Sequence, residues 1–206
     1  MCAFKDKPPR FAPVRAPPVK STHAAPRKLP VGIVSPTLFR AIRIFIQSTK
    51  GTSVNWSLAG DISLAWQGLE IKPTDIEILT DNDGLTKIRE AVIKYHPSEP
   101  KIVEVRLPRD AIVDAANYPL YRRSNAFAFE IEGAALSIHA AMQYKVAEWE
   151  WGDVLDFKPE VLNIVGEDIK VVPLVFQLEL FRSLGWKDMV AQSIEAIEKA
   201  HEGFRG

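Results

Sequence analysis

The chain has one cysteine, Cys2, which leaves neither an internal disulfide nor a cysteine-based metal site open to it. His23, His96 and His201 lack the spacing of metal ligands. No apolar run reaches the roughly 18 residues that span a bilayer, so no membrane role is expected. The opening stretch MCAFKDKPPRFAPVR has no apolar core of the kind a secretory signal needs. It is basic like a transit peptide, but proline dominates it and no amphipathic pattern appears. A cytoplasmic address is the simplest expectation. Net charge is also missing, with 26 Lys and Arg against 26 Asp and Glu. There is no internal repeat. What remains is ordinary: 206 residues at 47% hydrophobic suit one globular domain and a tail.

The zero net charge hides a split. Residues 1–33 hold Lys5, Lys7, Arg10, Arg15, Lys20, Arg27 and Lys28 against Asp6 alone, a net +6, which leaves −6 on the rest. Seven of the 15 prolines lie in the same stretch. Proline has no amide to donate and like charges repel, so residues 1–33 are expected to form a disordered, extended arm. Such an arm could contact nucleic acid or an acidic partner. The plainer reading is a solubilising tail, or one that docks on its own acidic domain.

Residues 34–206 read as the domain. Ser35-Pro36 is an N-cap followed by proline at the first helical position, where its fixed φ helps. Leu38, Ile42, Ile44, Phe45 and Ile46 then give an apolar helical face that Gly51 ends. A short strand is predicted over Val54–Leu58, and a short helix from Asp61 to Gln67. Thr74–Leu79 alternates as a strand, with Ile76 and Ile78 on one face and Asp75 and Glu77 on the other. A helix follows to about Tyr95, capped by Asp81 or Asp83. Further strands are expected at Ile102–Leu107, Ala126–Ile131, Ala135–Ala140, Val161–Val165 and Ile169–Val172. Two helices joined near Gly185-Trp186 close the chain. The mixture points to α/β (α+β) architecture with a mixed sheet and flanking helices.

One stretch concentrates chemistry. Carboxylates at i and i+2 of a strand share a face, with Cα atoms about 7 Å apart, so Asp75 and Glu77 can converge on a divalent cation. Before them a strand ends at Gly60 and a helix begins, offering unpaired amides and a partial positive charge suited to phosphate. A phosphate cradle and a carboxylate pair are the parts that phosphoryl-group chemistry requires. The plainer reading makes Asp75 and Glu77 the polar face of a half-exposed strand.

Ala59-Gly60-Asp61, then 13 residues, then Asp75-Ile76-Glu77-Ile78 resembles the nucleotidyltransferase signature of Gly, Gly or Ser, a gap and Asp-x-Asp/Glu. The likeness is to the minimal, aminoglycoside-modifying and AbiEii-toxin-like types, where a Trp opens the motif and a Lys-x-Thr-Asp run closes it. Here these are Trp56 and Lys72-Pro73-Thr74-Asp75. Ile138-His139-Ala140-Ala141-Met142 and Gly185-Trp186-Lys187-Asp188 are similar to later family segments.

The resemblance implies transfer of a nucleoside monophosphate from an NTP to a hydroxyl acceptor, with Mg²⁺ (or Mn²⁺) held by carboxylates. The acceptor would be a small molecule, an RNA end or a protein side chain. Asp75 and Glu77 would be catalytic and, with Asp61, hold the metal. Gly60, Asp61, Lys72, Thr74, Lys187 and Asp188 would bind the nucleotide. For Lys187 and Asp188 a helix-capping charge pair is the plainer reading.

Two positions depart from the family. Asp61 stands where Gly or Ser is usual, and there it would cap the helix and oppose a triphosphate. Ser137 stands where the third carboxylate, the acceptor's base, is expected. Asp61, His139, Glu130 or Glu132 are possible substitutes. His139 is expected to face away from Ser137, and Glu130 and Glu132 to share a solvent-facing strand face. The alternative is therefore a catalytically degenerate protein of this fold that binds or regulates a partner. Glu148-Trp149-Glu150-Trp151-Gly152-Asp153 could form an acceptor- or partner-binding lip, or pack a loop on the sheet.

Overall fold

The computed structural model describes residues 34–95, 102–106, 110–114, 120–146 and 150–202. The basic arm expected at residues 1–33 lies outside them.

The first helix, α1 (Pro36–Thr49), begins where Ser35-Pro36 predicts: the Ser35 hydroxyl accepts from the Leu38 amide at 3.3 Å. After Gly51, which takes a positive φ, β1 (Trp56–Ala59) leads into α2 (Gly60–Trp66). β2 (Ile76–Thr80) follows, then α3 (Asn82–Lys94). Asp81, rather than Asp83, caps α3, accepting from the Gly84 amide at 2.6 Å. β3 (Ile102–Arg106), β4 (Asp110–Asp114), β5 (Leu120–Ile131) and β6 (Ala134–Val146) come next. β7 (Glu160–Ile164), β8 (Glu167–Val171), α4 (Leu174–Leu184) and α5 (Lys187–Glu202) complete the order, with Gly185 left-handed between the last two.

The strands form one mixed sheet in the order β3-β5-β6-β2-β1-β8-β7, with β4 also on β5. β2–β6 and β1–β8 run parallel, while the other pairings are antiparallel. Period-2 alternation makes the two faces different. On one, Leu58, Ile76, Ile78, Leu136 and Ile138 are buried under Leu38, Ile42 and Phe45 of α1 and Ile88 and Val92 of α3. Each such side chain contributes roughly 1.5–3 kcal/mol of burial. On the other face Ala59, Leu79, Met142 and Val172 pack with Phe176 of α4. α5 closes a third cluster with Leu64, Leu69, Leu174 and Phe181.

The main differences from the sequence reading are at strand ends. β5 and β6 run to 12 and 13 residues, beyond the apolar stretches that predict them. Their added parts, including Tyr121-Arg122-Arg123 and Gln143-Tyr144-Lys145, are polar and only part-buried, so apolar alternation does not mark them. β4 carries no such signal either. β2 starts one residue after Asp75, so Thr74 and Asp75 precede the strand and Glu77 lies on it. No described helix is long and apolar enough to cross a membrane.

Candidate functional site

β1 and β2 pair so that Ala59 lies opposite Glu77, which sets the Gly60 turn beside the motif's second carboxylate. Gly60 has φ +59°, and a Cβ there would sit 2.8 Å from Glu77 Oε2. Both the left-handed backbone and the close approach require glycine. Asp61 follows in the first turn of α2, exposed, and Asp75 is exposed just before β2. Burial pushes the Asp61 carboxyl up from the usual range, and the charge of Asp75 pushes it further. Glu77 is also pushed up, chiefly by burial, with Asp75 and Asp61 adding to the shift and Arg122 opposing it. The charge of Asp75 thus reaches both Asp61 and Glu77 around Gly60.

Arg122 of β5 answers them. Its Nη1 donates to Glu77 Oε1 at 3.0 Å, with each side chain about four-fifths buried (23% and 21% exposed). Charge-assisted bonds of this kind are the stronger ones. His139 Nε2 lies 3.7 Å from the same oxygen, while its Nδ1 is 2.9 Å from the Ser124 hydroxyl. Burial, and then the charge of Arg122, lower the His139 pKa to about 3, so the imidazole is neutral near pH 7. Its approach to Glu77 is therefore not an ion pair. The Tyr144 phenol is raised by burial first and by Glu77 second.

His139 does not face away from Ser137. Glu77 pairs with Ser137 and Leu79 with His139 across β2 and β6, and residues 137 and 139 differ by one full strand period. Both point to the Glu77 side. Glu130 is exposed, and Glu132 is not on β5 at all: it sits in the turn after it, at φ 54°, 3.6 Å from Arg40. Lys72 and Thr74 are exposed in the segment before β2, and Lys187 and Asp188 open α5. No hydrogen bond or ion pair among the described residues joins these four to Gly60, Asp75 or Glu77. Trp151 lies 4.0 Å from the Arg123 guanidinium and near Lys145, the packing role rather than a free lip. Glu148 and Trp149 are outside the described residues. A cleft of about 390 Å³ opens at the far end of β2, against Thr80, Asp81, His139 and Phe157, and does not take in the acidic cluster.

No protein-family model matches the chain, and no curated protein matches it. Solved structures do. A Thermotoga maritima protein assigned as a nucleotidyltransferase superposes at a TM-score of 0.55 and 19% identity, over 86% of this chain and 98% of that one. This chain has a nucleotidyltransferase-like fold. A lincomycin-bound lincosamide antibiotic adenylyltransferase gives 0.47 at 16% identity, over 81% of this chain and 98% of that one. ANT(2'')-Ia with adenylyl-2''-tobramycin gives 0.40 at 11% identity, over 80% and 94%.

The residues of this nucleotidyltransferase-like chain can be tested against the metal that its fold implies. Among the described residues no three His, Cys, Asp or Glu side chains are grouped to hold an ion. Ser137 faces Glu77, and the next residue outward is Ala128, so neither β6 nor β5 supplies an acid there. Glu77 already answers a guanidinium. A three-carboxylate, two-metal arrangement does not fit this set. What does fit is a half-buried ion pair with two exposed acids, Asp61 and Asp75, at its rim.

Sequence reasoning missed Arg122, Ser124 and Tyr144. A stricter period-2 count would have placed His139 with Ser137. Arg122 had no such signal, because a β-bulge between Arg123 and Asn125 shifts its register against β6.

Proposed function

We propose that this chain is a nucleotidyltransferase-fold protein that no longer performs metal-dependent transfer and acts as a binding or regulatory protein. One observation carries the reading: Ser137, not an acid, lies opposite Glu77 on the neighbouring strand. A serine hydroxyl neither neutralises a divalent ion nor takes a proton from an acceptor near pH 7. Three of the four possible substitutes fail for separate reasons. His139 is buried and held neutral beside Arg122, Glu130 points to solvent, and Glu132 pairs with Arg40. The basic arm, residues 1–33, is then a contact element toward nucleic acid or an acidic partner.

A second reading has one observation in its favour. The charge of Asp75 pushes up the carboxyls of both Asp61 and Glu77 around the Gly60 turn, and a cation would relieve that repulsion. In this reading the protein binds an NTP with Mg²⁺ or Mn²⁺ and transfers a nucleoside monophosphate to a small-molecule, RNA or protein hydroxyl. Asp61 and Asp75 are the residues free to hold the ion, and Lys72, Thr74, Lys187 and Asp188 would line the nucleotide.

Calorimetric titration of ATP, GTP, CTP and UTP with each metal separates the two, together with label transfer from α-labelled nucleotides. The first reading expects no label transfer and a stable partner in a pull-down, weakened when residues 1–33 are removed. Metal-dependent nucleotide binding that disappears in Asp75→Asn, with label transfer, would replace it by the second.

A further inference from the structure

We propose that Arg122 is the resident cation of this site: its guanidinium takes the charge-neutralising place beside Glu77 and keeps that carboxylate out of any metal's coordination shell. This concerns the same site as the binding-protein reading but stands on a different observation, the occupation of Glu77 rather than the identity of residue 137.

One oxygen of Glu77 is paired, and the other lies close against a turn. Oε1 accepts from Arg122 Nη1 at 3.0 Å and has His139 Nε2 at 3.7 Å. Oε2 lies against the Gly60 turn, 2.8 Å from where a Cβ would stand. A Mg²⁺ or Mn²⁺ ion would need at least one of these oxygens at about 2 Å, with near-octahedral space around it. Oε2 has backbone on one side, and Oε1 has a cation already. Displacing Arg122 would strand a guanidinium in a half-buried place, and that charge cannot be removed by losing a proton. His139 Nε2 is buried with no hydrogen-bond partner among the described residues, and its neutral ring brings no charge that could replace the guanidinium.

Two unpaired acids remain outside this pair. Asp61 and Asp75 are exposed, and the negative charge of Asp75 acts on Asp61, so the two form a weak rim that can attract a divalent ion on its own. The inference therefore predicts which acids a metal uses. Any divalent ion that binds the wild type uses Asp61 and Asp75 without Glu77, and removing Arg122 releases Glu77 to join them.

The test is Mn²⁺ titration of the full chain, read by electron paramagnetic resonance of the free ion, with no nucleotide present. In the wild-type background, Glu77→Gln should change Mn²⁺ affinity by less than about threefold, the size of a screened charge effect. Arg122→Met should tighten binding by about tenfold or more, and Arg122→Met with Glu77→Gln should abolish that gain. A loss of tenfold or more in Glu77→Gln would overturn the inference, because Glu77 would then be a ligand beside Arg122. So would a folded Arg122→Met protein, verified by circular dichroism, that gains nothing. Should Arg122→Met not fold, the Glu77→Gln titration decides alone. Label transfer by the wild type bears on the functional reading, whereas these affinities bear on Arg122.

Discussion

Arg122 and Glu77 meet at 3.0 Å from strands that are not neighbours: β6 lies between β5 and β2. On the strand between them Ser137 pairs with Glu77, and His139 Nε2 approaches the same carboxylate at 3.7 Å. A family-like aspartate at position 137 would stand beside Glu77 and bring a further negative charge to the same guanidinium. Arg122 and Ser137 thus set a fixed organic cation and a neutral side chain on either hand of Glu77.

Removing one half of the pair should cost stability. Arg122→Met leaves Glu77 buried without its counter-charge, and fully buried pairs lose about 3–5 kcal/mol in that way. Here about a fifth of each side chain remains in water, so about 2 kcal/mol is expected at pH 7. Urea unfolding measures it. Arg122→Met with Glu77→Gln should recover most of the loss, since no unpaired charge is then buried. An additive double variant would mean that the pair is not coupled.

His139 should make the fold acid-sensitive. Its pKa is lowered from 6.5 to about 3 in the folded chain. The unfolded chain therefore binds the proton more readily, and the stability from a neutral His139 is complete above pH 6.5 and lost as pH falls toward 3. Glu77 works in the opposite sense. Its raised pKa means that the folded chain binds the proton more readily, so its contribution declines as pH rises through the carboxylate range. Unfolding free energies of wild type and His139→Gln between pH 7 and pH 4 separate them: the variant should lose less stability over that interval. Parallel curves would mean that His139 is protonated in the fold.

The fold's outline was legible because local rules agreed with tertiary need. Ser35-Pro36 caps α1, Ile76 and Ile78 alternate with Glu77, and Gly185 ends α4, each where its chemistry is least costly. The Gly60–Asp75–Glu77 grouping followed from spacing alone. The cation that meets it did not. Arg122 lies 45 residues from Glu77, on a strand section whose polar composition hides it and whose bulge shifts its register. Pairings of that kind belong to topology, which a linear pattern does not encode.

Gly60→Ala should be poorly tolerated, and more so than Gly133→Ala. Both glycines have positive φ, and that conformation costs an L-residue roughly 1–2 kcal/mol. Nothing lies within 4 Å of a Cβ at Gly133, whereas at Gly60 it would meet Glu77 Oε2 at 2.8 Å. Glu77 must then shift and strain its bond to Arg122. Thermal unfolding should show the larger drop for Gly60→Ala, and most of the excess should vanish when Glu77→Ala is added. Equal drops at the two glycines would mean that Glu77 moves away freely.

The docking of α2 that aims this turn depends on a buried amide network. Gln67 Nε2 donates to the Val172 carbonyl at 2.9 Å, and to the Ser63 carbonyl and hydroxyl at 3.0 Å each. Gln177 Nε2 reaches the same Val172 carbonyl at 2.9 Å from α4. One carbonyl at the end of β8 therefore ties α2 to α4. Gln67→Leu keeps the volume and removes the donors, but Gln177 still satisfies Val172, so a loss of about 1–2 kcal/mol is expected. Gln67→Glu keeps the shape but sets a carboxylate against two carbonyls, and should be clearly worse at pH 7. Lowering the pH should narrow the gap, because a protonated carboxyl regains one donor. Melting curves of both variants at pH 7 and pH 5 measure this. A Gln67→Glu protein as stable as Gln67→Leu at pH 7 would show that position 67 opens to water, and that α2 is held by its apolar residues alone.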